Sequence, residues 1–245
     1  MIKLQSKRQQ QIQKLFNGKF TENKPIPFPS FEKNYGYSNL FYWAHLVAYE
    51  TGEFPLHPHE GFEIMTFVLK GSVEHYDTAT NKWTPIQEGG FQLIQAGTGV
   101  MHSERIKKGS ELFQVWFDPD FSKSLRQSAG YQDYGPNDLY FYEEGGIKVF
   151  EYIGIRNKVL HQTPDIDIAR ELINKGVFLK KLQDSKVYSI YVIDGEGIID
   201  SKSVCKDDFL IIYEIEEITL KTESFMELFI VISPKNLPYK RYIDR

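Results

Sequence analysis

The sequence predicts an all-β fold: two β-barrels of one kind in tandem, with a few short helices. Three observations predict it. Runs rich in β-branched and aromatic residues dominate from Tyr35 onward, among them NLFYWAHLVAYE, FEIMTFVLKG, SVEHYDT, GGFQLIQAG and ELFQVWFD. Gly, Asn, Asp or Pro separate these runs at the spacing of antiparallel barrels and sandwiches, not of alternating βαβ units. Finally, the second half repeats the first. FVLKGSVEHYD (Phe67–Asp77) aligns with YVIDGEGIIDS (Tyr191–Ser201), GGFQLI (Gly89–Ile94) with DDFLII (Asp207–Ile212), and ELFQVWF (Glu111–Phe117) with ELFIVIS (Glu227–Ser233). The three pairs recur in the same order at offsets of about 116 to 124 residues, which is a duplication of domain size.

In chain order, residues 1–34 read as an arm and connector. Residues 1–20 are polar and rich in Gln and Lys; Ile2, Leu4, Ile12, Leu15 and Phe16 give a weak helical stripe, so a mobile arm or short helix is expected. ENKPIPFPSF (Glu22–Phe31) holds three prolines and must be extended. Residues 35–121 form the first barrel. The polar stretch SKSLRQSAGYQDYGPN falls in a linker, residues 122–145, expected as a loop or short helix. Residues 146–245 form the second barrel.

Composition narrows the function classes. The chain has 245 residues, 41% hydrophobic and 25% charged, as soluble globular proteins do. Its net charge is −4 and no basic stripe stands out, so direct nucleic-acid binding is not expected. A single cysteine, Cys205, rules out an intramolecular disulfide and fits a reducing compartment. The N-terminus is charged throughout, and no run approaches 18 uncharged apolar residues. Neither a signal peptide nor a membrane span is expected, and the location expected is cytoplasmic.

The chemistry lies in two short motifs. His57 and His59 flank Pro58 ahead of a long apolar run, and GTGVMHSERI later supplies His102 and Glu104, again one residue apart. On a strand, residues i and i+2 face the same side. If the two strands adjoin, four ligands converge on one point. Three neutral imidazoles and one carboxylate suit iron(II), manganese, nickel, cobalt, copper or zinc, with one or two coordination positions left open. Pro58 limits backbone freedom between the first two ligands, and Gly97 and Gly99 allow a tight turn into the second motif. A lone H-x-H reads as a surface turn or a satisfied core pair; with H-x-E after a Gly-rich turn in the same β-repeat it points to a metal. The duplication supplies an internal control. The four positions fall at about Lys181, Gln183, Leu220 and Thr222 in the second copy, where no ligand set survives.

HPHEGFEIMTFVLKGSVEHYDT and GGFQLIQAGTGVMHSE resemble the two halves of the signature of the pirin branch of the cupin superfamily, and LFQVWF resembles the strand that follows. The resemblance is specific over Leu46–Phe117 and one of pattern over the second half. It implies a bicupin of two jelly-roll barrels with a single metal, usually iron, in the N-terminal barrel. His57, His59, His102 and Glu104 would be its ligands. The chain departs from the family in carrying Glu60 where a basic residue is usual, in the stretch before Leu46 and in its short tail after Tyr239.

By that resemblance the leading function is a metal-dependent dioxygenase of quercetin and other flavonols, with O2 as co-substrate. Glu104 would be the catalytic base that takes the substrate's hydroxyl proton. The alternative is an iron-loaded redox sensor that binds a transcriptional or enzyme partner without turnover; a third reading is a metal-binding barrel with no activity. Around the site, Glu63 is expected either to hydrogen-bond a ligand histidine or to form a salt bridge at the rim. Met65 and Phe67 read as core packing, His45 as a core or rim histidine, and His75 and His161 as hairpin or loop residues.

Overall fold

The computed structural model describes residues 1–30, 33–78 and 80–244; Phe31 and Glu32, part of the aromatic stretch FPSFEKNYGY, lie outside the described residues. The strands in chain order are β1 (Ile2–Gln5), β2 (Gln11–Leu15), β3 (Phe20–Ile26), β4 (Leu40–Ala48), β5 (Gly52–His59), β6 (Glu63–Lys70), β7 (Ser72–Asp77), β8 (Lys82–Gln87), β9 (Phe91–Gln95), β10 (Val100–Ile106) and β11 (Glu111–Phe117). A one-turn helix α1 (Phe121–Ser124) precedes β12 (Gly130–Tyr134), β13 (Tyr140–Glu144), β14 (Ile147–Ile153), β15 (Asp167–Lys181), β16 (Lys186–Ile199), β17 (Lys202–Cys205), β18 (Phe209–Tyr213) and β19 (Glu217–Pro234). The expected all-β class holds. No helix among the described residues is long and apolar enough to cross a membrane.

The chain forms two compact units that interleave in sequence. The first comprises Gln11–Asp138, Leu160–Pro164 and Pro238–Arg245; the second comprises Met1–Gln10, Leu139–Val159 and Asp165–Leu237. In the first unit, one sheet runs β12-β9-β6-β11-β4-β3-β2 and another runs β5-β10-β7-β8. Strand alternation fills the space between them: Phe20, Leu46, Val68 and Leu112 from the larger sheet meet Val73, Ile86 and Ile106 from the smaller in one buried cluster. Burying such a side chain contributes about 1.5–3 kcal/mol. The layers separate at Gly71, the single residue between β6 and β7. Its φ is +76°, and a Cβ there would lie 3.0 Å from the Ser110 Cα, so only glycine makes the step.

The second unit has the same order, β1-β18-β16-β19-β15-β14-β13, with β17 on β16. Its β15, β16 and β19 are 15, 14 and 18 residues long and run on without the breaks that divide the first unit's layers. Neither unit is a formally closed barrel, because the strands stay in open, layered sheets. At the centre of the sheets the duplication holds to the residue. Phe67 pairs with Phe91 and Phe113 in the first unit, and Tyr191 pairs with Phe209 and Phe229 in the second.

Two segments differ from expectation. Residues 1–20 hold β1 and β2 with two single 3-10 turns, Lys7–Gln9 and Phe16–Gly18, in place of an arm or one helix: Ile2 and Leu4 alternate as an edge strand on β18 and pack against the second unit's core. Pairing with β18, invisible in local sequence, selects strand over helix for a segment of weak preference. The expected linker, residues 122–145, has the short helix it allowed for in α1 (Phe121–Ser124), but also holds two strands, β12 and β13. β1 occupies in the second sheet the position that β12 occupies in the first.

Candidate metal centre

Strands β5 and β10 are antiparallel neighbours, with His57 opposite His102 and Val100 opposite His59. That register, with the i, i+2 spacing, turns three imidazoles toward one point. Ring centroids lie 4.8 Å apart for His57 and His59, 4.3 Å for His57 and His102, and 4.7 Å for His59 and His102. One ring nitrogen from each falls within 4.8 Å of the others. Gly97 (φ +51°) makes the turn before β10, where a Cβ would strike the backbone of Gln127 and Ala129.

The electrostatics suit a cation. His57 Nδ1 lies 2.8 Å from the Pro55 carbonyl. A carbonyl only accepts, so Nδ1 carries the proton and Nε2 keeps its lone pair for a ligand. The buried His59 Nε2 and both nitrogens of His102 have no hydrogen-bond partner in the fold. Burial, with His57 beside it, lowers the His59 pKa to about 4; burial, with His59, His57 and His75 around it, lowers that of His102 to about 2. The buried ring nitrogens of His59 and His102, left without partners, are costly as they stand. A shared divalent transition ion removes the cost, and the donor set fits one.

Glu104 stands apart from that tight cluster. It is buried on β10, where pairing with β5 shifts register between His102 and Glu104. Its carboxylate accepts from Gln114 Nε2 at 3.1 and 3.3 Å and from the Thr66 hydroxyl at 3.4 Å. Burial raises its pKa to about 7 against the pull of those bonds. Glu104, His57 and His59 line one cavity of about 250 Å³, whose other walls include Tyr42, Phe54 and Trp116 and, from the β2–β3 hairpin, Gln13 and Lys24. Lys24 Nζ bonds Gln13 and Glu22 at 2.7 and 2.8 Å.

Three neighbours differ in kind. Glu63 neither touches a ligand histidine nor forms a rim salt bridge. It is fully buried, and its carboxylate accepts the backbone N–H of Gln162 (2.5 Å) and Thr163 (2.7 Å), the Thr163 hydroxyl and Gln95 Nε2 (3.1 Å), clipping residues 160–164 to β6. His75 is no hairpin-surface residue. It is 1% exposed, opposite Glu104 on β7, with its ring 5.3 Å from that of His102, its Nδ1 3.9 Å from the Asp77 carboxylate and neither nitrogen in a hydrogen bond. The alternation of SVEHYD, with Val73, His75 and Asp77 inward, carried that signal. His45 is a core histidine, its ring 5.2 Å from that of Phe113.

Strand pairing also refines the internal comparison. Glu104 faces His75 as Leu220 faces Ile199, and His102 faces His57 as Ile218 faces Lys180. Val100 faces His59 much as Glu216 bonds Leu182. The second copy therefore sets Lys180, Leu182, Ile218 and Leu220 at the four positions, one or two residues from the sequence alignment. The first copy has one more residue between Phe54 and His57 than the second has between Phe178 and Lys180.

Comparison with known proteins gives a consistent picture. Residues 12–117 match the family profile Pirin. ZMO1337 of Zymomonas mobilis, provisionally named a quercetin 2,3-dioxygenase, is 28% identical over 76% of this chain and 78% of its own length. The quercetin 2,3-dioxygenase of Escherichia coli is 44% identical over 29% of this chain and 32% of its own length. The chain spans about half the length of the pirin-like relatives it matches in Arabidopsis thaliana and Solanum lycopersicum. Among solved structures, the bacterial pirin YhhW of E. coli in complex with nickel(II) superposes with a TM-score of 0.78 at 23% identity, covering 96% of this chain and 100% of that one.

Proposed function

The chain carries a pirin-family domain over residues 12–117, and from that premise we propose that it is a metal-dependent dioxygenase acting with O2 on small enol- or phenol-bearing substrates of the quercetin type. The observation that carries this reading is the convergence of one ring nitrogen each from His57, His59 and His102, those of His59 and His102 without a hydrogen-bond partner, beside a cavity lined by His57, His59 and Glu104.

A divalent transition ion bound there, iron(II) first and nickel(II) next, supplies a Lewis acid that lowers the pKa of a substrate hydroxyl. The rest falls to the chain. His57, His59 and His102, with Glu104 as the fourth ligand, would hold the ion, with His57 fixed in its tautomer by Pro55. Glu104, with a pKa near 7, is matched to take the hydroxyl proton at neutral pH, and Gln114 and Thr66 fix its carboxylate. Tyr42, Phe54 and Trp116 give a flat ring an apolar wall. The cavity, at about 250 Å³, lies just under the roughly 300 Å³ at which drug-sized pockets begin, which favours a substrate no larger than a flavonol.

The test is oxygen consumption with quercetin, alongside metal analysis, in wild type and Glu104→Gln. Turnover in wild type that falls by about 10²-fold or more in the variant, with metal retained, is expected. Absence of oxygen uptake in metal-loaded wild type refutes the reading.

A further inference from the structure

The second unit has its own cavity, of about 170 Å³. Its walls answer strand by strand to the cavity beside the imidazoles. Pairing puts Tyr142 in the place of Gln13, Glu151 in that of Lys24, Glu171 in that of Leu46, Lys180 in that of His57, and Ile230 and Ile232 in those of Gln114 and Trp116. The duplicated pocket is retained, and its chemistry has changed.

In place of converging imidazoles there is an ion pair: Lys180 Nζ donates to Glu171 Oε1. Glu151 is spent on the backbone N–H groups of Arg156 and Asn157, at 2.7 Å each, and the Arg156 guanidinium lies over the Tyr142 ring at 4.0 Å. One strong acceptor is left over. Glu171 is 4% exposed, and its Oε2 has no hydrogen-bond partner. An unmet buried carboxylate oxygen is costly, and an ammonium has three donors, more than the one Lys180 gives to Glu171. A ligand that offers a donor beside an acceptor satisfies both. Lys180 is paired with Glu171 and Arg156 lies 3.7 Å from Glu151, and with Asp167 also on the wall the lining has no surplus positive charge, so the matching ligand is not an anion. Ala169, Ile230 and Ile232 supply an apolar face. An apolar cavity of about 150 Å³ holds one benzene, so this one admits a single six-membered ring.

We propose that the second unit is a metal-free binding pocket for a small aromatic ring with adjacent hydroxyls, a catechol-class molecule. One hydroxyl donates to Glu171 Oε2, its neighbour accepts from Lys180, and the ring lies against Ile230 and Ile232.

The experiment titrates catechol into the full-length protein stripped of metal by a chelator, followed by calorimetry and by amide chemical shifts. Stripping removes chelation at the first unit's imidazoles. Saturable binding of one equivalent is expected, with the shifts centred on β14 and β15. Affinity should fall at least tenfold in Ala169→Leu, which fills the cavity without touching the ion pair. The same fall is expected in Glu171→Gln/Lys180→Met, where uncharged groups replace the pair at little cost to folding. His57→Ala should bind as wild type does. Absence of saturable binding, shifts confined to the first unit, or equal affinity for propane-1,2-diol each overturns the proposal. The shift map decides even where a variant fails to fold. Since no metal is present, the outcome is independent of whether the first unit turns over quercetin.

Discussion

Glu104 holds its proton up to about pH 7 because burial outweighs the bonds from Gln114 and Thr66. His59 and His102, at about 4 and 2, are already neutral well below that. Proton competition for the metal should therefore come from the carboxylate and not from these imidazoles. A raised carboxylate pKa means that the ion must displace a proton below pH 7 and meets none above it. Nickel(II) affinity is expected to rise with pH up to about 7 and then level, with up to one proton released per ion bound below that point. Calorimetry in buffers of different ionisation enthalpy measures it. In Glu104→Gln the slope should flatten; an unchanged slope removes Glu104 from the ligand set. At this scale the sequence was informative, because the i, i+2 spacing of His57/His59 and His102/Glu104 is itself the rule that sets side chains on one face. For His75 the alternation of SVEHYD marks an inward face, but its place beside His102 depends on β7 lying next to β10.

Among elements, Glu63 shows what spacing alone misses. Four residues past His59, it looks like part of the ligand strand, yet Gly61 (φ +78°) breaks the strand between β5 and β6 and turns Glu63 toward residues 160–164. Its buried carboxylate meets two backbone N–H groups and a hydroxyl about a hundred residues away in sequence. Glu63→Ala is expected to cost about 2–4 kcal/mol in urea unfolding, since charge-assisted bonds are lost and buried donors are stranded. Metal uptake should remain. A loss below about 0.5 kcal/mol would show that the clip holds little. Strand existence was readable nearly throughout from β-branched and aromatic runs. The exceptions are residues 1–20, which lacked such runs, and β12 and β13 in the expected linker; strand partners settled both.

For the whole molecule, the order of strands carries the lesson. β1, from the chain's start, fills on β18 the edge that β12 fills on β9. Deleting Met1–Gln10 should leave metal binding intact, because those residues belong to the second unit. It should speed amide hydrogen exchange in β18, whose bonds to β1 are lost. Unchanged exchange there would mean that the edge is held by β16 alone. The sequence by itself determined the all-β class, the duplication and the histidine and glutamate pairs that make the centre thinkable. These are local periodicities and repeats, written at two-residue or whole-copy spacing. Tertiary structure alone decided which strand lies beside which: that His57 meets His102, that Lys180 and not Lys181 stands in the second copy's place, and that β1 completes the other sheet. Register between distant strands is fixed by packing across the core and by bulges, and neither leaves a trace in any one segment.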